Sequence, residues 1–280
     1  MKLYAELLEA PHVLIAGTTG CGKSTLLNGI IRELMETKTP DTAKLILIDP
    51  KRIELSQYRN TEFCMAYTAE SSETVTLLDQ AIALTEERFT EMQQSGTREY
   101  TGSDVYIVID ELADLMISVE SRVIKRKMQK ILQIGRAAKV HILAATQAPS
   151  RKIIPAELVL NFTHRIALRC LASIESRQIV NVNGAEELPR HGKGLYLSPD
   201  GISTVSIPLT PDNADLIRKW KKYPKVEIIA VTTPAEKTVE HKNAPADWEL
   251  PTIERLFDHL PSIFKGIAIA IGCLWVWAII

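Results

Sequence analysis

Val13-Leu-Ile-Ala-Gly-Thr-Thr-Gly-Cys-Gly-Lys-Ser-Thr25 decides the fold of this chain. Gly17, Gly22, Lys23 and Ser24 occupy every fixed position of the pattern G-x-x-x-x-G-K-[ST]. An apolar run, His12 to Ala16, precedes the glycines, and a helix-compatible run, Ser24 to Leu34, follows them. That strand, loop and helix context separates a phosphate loop from a glycine-rich turn that happens to carry Lys-Ser. Gly17, Gly20 and Gly22 let the backbone turn its N–H groups inward, forming an anion nest at a helix N-terminus where the dipole adds positive potential. The loop Gly17, Thr18, Thr19, Gly20, Cys21, Gly22, Lys23, Ser24 and Thr25 is therefore expected to hold the triphosphate of ATP. Lys23 would reach the β and γ phosphates, and the Ser24 hydroxyl would ligate Mg²⁺.

Working outward, Val105-Tyr-Ile-Val-Ile-Asp110-Glu111 reads as a buried strand ending in acid, a Walker B pattern. In a doubly wound sheet such a carboxylate lies near the phosphate loop, so Asp110 is expected in the Mg²⁺ shell and Glu111 beside the attacking water. His141-Ile-Leu-Ala-Ala-Thr-Gln147 is a further strand that ends on a polar pair. By analogy with other phosphate-loop motors Gln147 is the expected sensor of the γ-phosphate or its water, an amide that merely caps a loop being the alternative.

The remaining pattern gives an α/β expectation. Lys2 to Ala10 reads as a short helix, Lys44 to Ile48 as a strand buried on both faces, Ser71 to Gln94 as a long surface helix capped by Ser71 or Ser72, and Arg122 to Ala138 as a basic amphipathic helix. Leu55 to Tyr67 is mixed and gives no assignment. Ala148 to Asn161 reads as loop and short helix, Arg165 to Cys170 as a strand and Ser173 to Val180 as a capped helix. Gly194 to Leu197 and Ile202 to Ile207 form a hairpin around Ser198-Pro-Asp-Gly201, and Asn213 to Lys221 a short helix. Strand and helix alternate from His12 to Arg169, which predicts a mostly parallel sheet with helices on both faces and an antiparallel end.

Three segments follow from this patterning: an ATPase domain over 1–222, a proline-containing linker over 223–262, and an uncharged apolar stretch within 263–280. The last falls slightly short of the roughly 20 apolar residues that span a bilayer, and both a membrane helix and a docked apolar helix stay open. A net charge of -1 provides no global attraction for nucleic acid, so any DNA contact must come from local basic residues. The four cysteines form no C-x-x-C pair, which argues against a zinc site or disulfide framework and for a reducing cytoplasm. No secretory signal opens the chain, because Glu6 and Glu9 interrupt its first residues.

With these pieces in order the chain resembles the motor domain of the FtsK/SpoIIIE family of DNA translocases, of the HerA-FtsK type. The resemblance is carried by Pro11 to Ser24, by Leu47-Ile-Asp-Pro-Lys-Arg-Ile-Glu-Leu55, by Asp110-Glu-Leu-Ala-Asp-Leu-Met116, and by Gly135-Arg-Ala-Ala-Lys-Val-His-Ile-Leu-Ala-Ala-Thr-Gln-Ala-Pro-Ser150. It covers residues 1 to about 220. It implies a RecA-like core that assembles as a homohexameric ring and drives double-stranded DNA through its centre by ATP hydrolysis. Under it Lys23, Ser24, Asp110, Glu111 and Gln147 keep the roles given above. The arginine finger that acts on a neighbour's ATP is Arg136 or Arg177, with Arg136 preferred. The resemblance leaves the role of Asp49-Pro50-Lys51 open. Arg151 and Lys152, just beyond the sensor strand, are the expected DNA contacts, and the Lys125-Arg126-Lys127 cluster is the rival.

The departures are specific. The family's Arg after Thr-Gln is Ala148, its Gly before the sensor strand is Lys139, and nothing here corresponds to its usual membrane domain, the subdomain ahead of the motor core or a winged-helix DNA reader. A reduced relative from a mobile element and an incomplete chain both fit. Chromosome segregation and conjugative transfer both remain as roles for a DNA motor, with attachment to the inner face of the cell membrane through the C-terminal segment as an accompanying expectation. Two other functions stay open: a related secretion ATPase acting on protein, and a membrane-tethered DNA-binding protein with weak ATPase. A transporter ATPase is disfavoured, since no Leu-Ser-Gly-Gly-Gln lies between Lys23 and Asp110.

Overall fold

In the computed structural model, which describes residues 2–222, α1 (Lys2–Glu9) leads into β1 (His12–Ala16), and the phosphate loop turns the chain into α2 (Lys23–Thr37). There follow β2 (Ala43–Ile48), β3 (Cys64–Thr68), α3 (Ser71–Ser95), β4 (Asp104–Ile109), α4 (Leu112–Ile117), α5 (Ser121–Ile134) and β5 (Val140–Thr146). The second half holds α6 (Ala156–Val159), β6 (His164–Ala167), α7 (Ser173–Val180), β7 (Lys193–Ser198), β8 (Gly201–Ser206) and α8 (Ala214–Lys219). One sheet of eight strands runs β3-β2-β4-β5-β1-β6-β7-β8. β1 to β6 pair in parallel, and β7 and β8 join antiparallel at one end, as expected. The expected linker at 223–262 and apolar segment at 263–280 lie outside the described residues. Among the described residues no helix is long and apolar enough to cross a membrane.

The central strands are apolar without interruption because both faces of the sheet are covered. Val13 and Ile15 of β1 enter a core with α1, α2 and α8, whereas Leu14 and Ala16 enter a second core with α3, α4, α5, α6 and α7. β2 divides the same way, Leu45 and Leu47 to the first core and Ile46 and Ile48 to the second. Strand alternation thus builds two hydrophobic layers around one rigid sheet, which fixes the loops at the strand ends.

Several element ends differ from the sequence expectation. The stretch without assignment contains β3, an edge strand whose burial is confined mainly to Cys64 and Thr68. α4 was not foreseen, and β6 stops at Ala167, not Cys170. Glu70, with no side-chain bond to the helix, caps α3 in place of Ser71 or Ser72; Ser71 Oγ donates instead to Glu120. α7 likewise starts at Ala172 without a side-chain cap, while Glu175 reaches back to accept from Leu171 N–H at 2.8 Å. The basic helix expected to Ala138 ends at Ile134, because the chain must turn sharply into β5. There Val140 N–H bonds back to the Gly135 carbonyl at 2.9 Å, and a Cβ at Gly135 would lie 2.4 Å from the Val140 oxygen.

That turn puts Lys139 at φ 53°, the left-handed region that a side chain resists. Lys139 stands where the resembling family has glycine. Its one side-chain bond, Nζ to the Gly102 carbonyl, is exposed and 3.3 Å long. Lys139→Gly is therefore expected to stabilise the domain by about 0.5–1 kcal/mol, seen as a higher urea midpoint at unchanged slope. A lower midpoint would show that the side-chain contact outweighs the backbone strain.

Candidate functional site

Four strand ends build the site, those of β1, β2, β4 and β5. β1 and β4, which lead into the phosphate loop and the acidic pair, are separated by β5, so the Thr146-Gln147 end of β5 stands between loop and acids. Gly17 N–H donates to the Thr146 carbonyl at 3.2 Å, and Thr18 N–H to the Arg169 carbonyl at 2.9 Å, which pins the loop between β5 and the segment after β6. Gly20 at φ 72° and Gly22 at φ 103° supply the left-handed turns that a curled anion nest requires. Gly22 caps α2 without a side-chain bond, so the positive dipole end of the helix stays open to an anion. Lys23 is only 7% exposed, and burial pulls its ammonium below the usual lysine value, while the charges of Glu111 and Asp110 oppose that pull.

The acids form a tighter group than the sequence indicated. Burial pushes the Asp110 carboxyl up to about 6, the charges of Asp49 and Glu54 add to the rise, and Lys51 opposes it. Asp49 Oδ2 accepts from the N–H groups of Leu55 and Ser56 at 3.0 and 3.2 Å, folding the 50–56 turn back toward the loop. That fold delivers Glu54, whose Oε1 accepts from Ser24 Oγ at 2.7 Å. Asp49 Oδ1 is buried without a partner. Carboxylate and hydroxyl oxygens are the donors a hard divalent cation prefers, but among the described residues no three acidic, histidine or cysteine side chains lie close enough to hold one by themselves.

Glu111 is 2% exposed and fully engaged. Its Oε1 accepts from Thr146 Oγ1 at 2.9 Å and from Gln147 N–H at 3.0 Å, and its Oε2 accepts from Lys51 Nζ at 3.0 Å. Burial works against the charge on Lys51, but the bond and charge of Glu111 outweigh it and raise its pKa. This places Asp49-Pro50-Lys51 in the site: the aspartate shapes the turn and the lysine holds the second acid. Gln147 completes the line, because Thr19 Oγ1 donates to its Oε1 at 2.6 Å. Phosphate loop, amide and acid are thus joined by direct hydrogen bonds.

The other sequence candidates lie elsewhere. Arg136 is at the opposite end of β5, on a cavity of about 560 Å³ bordered by Glu9, Asp104 and His141. The seven residues of β5 put about 20 Å between the two ends, so Arg136 cannot reach this chain's own loop. Arg177 is exposed on α7, and Arg151 and Lys152 are exposed on the loop after Gln147. Sequence reading missed Glu54, Thr146, the link from Lys51 to Glu111, and Arg190, whose guanidinium lies 3.1 Å from where a Cβ on Gly20 would be. Glu54 and Lys51 were legible only as parts of a motif match.

Residues 1–107 match the family model described as FtsK/SpoIIIE family. The protein named DNA translocase FtsK of Bradyrhizobium diazoefficiens is 32% identical over 83% of this chain and 34% of its own length. That of Chlorobaculum tepidum is 35% identical over 69% of this chain and 26% of its own. The chain thus spans about a quarter to a third of the length of the curated relatives it matches. Among solved structures, the monomer form of the pCW3 conjugation coupling protein TcpA with ATPγS superposes with a TM-score of 0.67 at 22% identity, over 76% of this chain and 65% of that one. The cytoplasmic domain of the type VII secretion ATPase EccC of Thermomonospora curvata gives 0.62 at 22% identity, over 77% and 28%. The RecA-like fold is common to all of them, and from the family model and the FtsK relatives together this chain belongs to the FtsK/SpoIIIE family.

Proposed function

We propose that this chain hydrolyses ATP with Mg²⁺ and uses the cycle to move double-stranded DNA as a homohexameric ring. The observation that carries the reading is the hydrogen-bonded line Thr19, Gln147, Glu111, which joins the phosphate loop to the acid that positions water and to the loop beyond it. The loop amides and Lys23 bind the β and γ phosphates. Mg²⁺, held by Ser24 Oγ and Asp110, would neutralise charge between those phosphates. Glu111 orients the attacking water once Lys51 releases Oε2. Gln147 registers the γ-phosphate through Thr19. Arg136, remote from its own loop, serves as the finger for a neighbour's nucleotide, with Arg177 as the alternative. The ATPase domain is 1–222, in the cytoplasm, with 263–280 as its attachment to the inner face of the membrane.

DNA is gripped by Arg151 and Lys152, which follow Gln147 by a few residues and so move with it. Phosphate contacts of this kind release counterions and carry no sequence information, so affinity falls steeply with salt. Linear double-stranded DNA is expected to stimulate turnover severalfold, and Arg151→Ala with Lys152→Ala to remove that stimulation while basal hydrolysis persists. Turnover indifferent to DNA would sink the motor reading and favour action on protein. Stimulation that survives the double substitution but is lost on changing Lys125, Arg126 and Lys127 would move the DNA path to α5.

The raised Asp110 carboxyl makes a pH prediction. Its folded value of about 6 lies above the ordinary 3.8, so the folded apo chain holds a proton there that the unfolded chain has already released. Stability of the nucleotide-free domain should therefore fall as pH rises between about 4 and 6. Cation binding needs the ionised form, so Mg²⁺-dependent nucleotide affinity should weaken about tenfold per pH unit below 6 and be flat above it. Calorimetric titration across pH 5–8, with Asp110→Asn as the control that abolishes the pH step, checks both. A pH-independent affinity would remove Asp110 from the metal shell.

A further inference from the structure

Arg165, on β6, is 7% exposed and makes no side-chain hydrogen bond with any described residue; its Nε and Nη1 are buried and partnerless. It faces a cavity of about 80 Å³ whose wall also carries Arg151, Gln178 and Asn181 and no carboxylate. The Gln178 Oε1 is likewise buried without a partner. An amide's oxygen and nitrogen exchange by a half-turn, so the same side chain can present Nε2 to the cavity. Two arginines and two amide residues thus line one small space, Arg165 and Gln178 with buried polar atoms and Arg151 and Asn181 from its exposed side. Burial alone pulls down the Arg165 pKa, with no acid to offset it. The cavity lies between the loop that follows Gln147, α6 and α7, separate from the phosphate loop.

We infer that this cavity is a second oxyanion site, sized for a single phosphate group and headed by Arg165. Buried guanidinium N–H groups without an acceptor are costly, and an anion on either fork, Nε with Nη2 or Nη1 with Nη2, supplies one that the Gln178 amide can share. Donors arriving from a strand, a loop and a helix suit a tetrahedral phosphate better than a planar carboxylate, which a single fork would fill. Arg151 at the mouth closes on the anion, so occupancy orders the loop beyond Gln147. Free phosphate and a nucleic-acid phosphodiester present the same chemistry to this site.

The test uses the full chain with ¹⁵N-labelled arginine. The Nε–H signal of Arg165 is identified by its loss in Arg165→Lys, and followed during titration with inorganic phosphate at constant ionic strength. A saturable shift is expected, persisting in Lys23→Ala, where the phosphate loop is disabled, and weakened about fivefold or more in Gln178→Met. A short DNA duplex that produces the same shift identifies the phosphodiester as the source, and a shift with inorganic phosphate alone identifies the free anion. A response lost in Lys23→Ala would be second-hand from the phosphate loop and would overturn the inference. So would saturation by acetate with none by phosphate, which assigns a carboxylate, or no saturable response at all, which leaves a water-filled void.

Discussion

Lys23→Ala is expected to lower turnover by about 10²–10³-fold or more, while the thermal midpoint of the nucleotide-free chain stays level or rises. The two halves of this result come from one observation. Lys23 is nearly buried at the mouth of an anion nest, where burial disfavours its charge, and no hydrogen bond to a described residue holds its ammonium. In the empty protein it is a desolvated cation, so deleting it removes a cost; with nucleotide bound it is the charge that follows the γ-phosphate into the transition state. Steady-state hydrolysis beside a melting curve measures both. Near-normal turnover would end the phosphate-loop assignment, and loss of folding would make Lys23 a structural residue.

Glu111→Gln should lower hydrolysis by about 10²–10⁴-fold while nucleotide still binds. The glutamine keeps one oxygen for Thr146 and Gln147, but presents an N–H₂ where Lys51 now donates, so Lys51 must swing away. Under the proposed roles the attacking water would lose its acceptor, while Ser24 and Asp110 would remain to hold the cation. A nucleotide-binding titration and a single-turnover cleavage assay on the same variant separate the steps. If affinity vanished with cleavage, Glu111 would be a binding group.

What was legible in the sequence was local. The phosphate loop, the acid pair and Gln147 are consecutive residues at strand ends, and the continuous apolar runs of β1, β2, β4 and β5 follow from burial on both faces. What was not legible arises from contacts across the sheet. Asp49 is ordinary until its carboxylate captures two amides six and seven residues on and swings Glu54 to Ser24. Lys51 and Glu111 are sixty positions apart. β3 escaped because an edge strand is covered unevenly and shows no clean period. Arg165 read as one more strand residue, since charge on a strand usually faces water; here it points into the second core. Lys139 could be seen as a departure, but its left-handed backbone could not.

The position of β5 has a consequence for how subunits would stay in step. Its seven residues are all buried, Val140 to Ala144 paired with β4 and Ile142 to Thr146 with β1, so it neither stretches nor slides against its neighbours. Arg136 stands just before one end and Gln147 just after the other. In a ring where Arg136 touched the next nucleotide along, this strand would be a rigid tie between two reaction centres. The arrival or departure of a γ-phosphate at one end would then tilt this strand together with its sheet, and Gln147 would pass that movement into its own site and to the loop beyond it. Firing order around such a ring would then need no separate messenger: the stiffness of the sheet would set it.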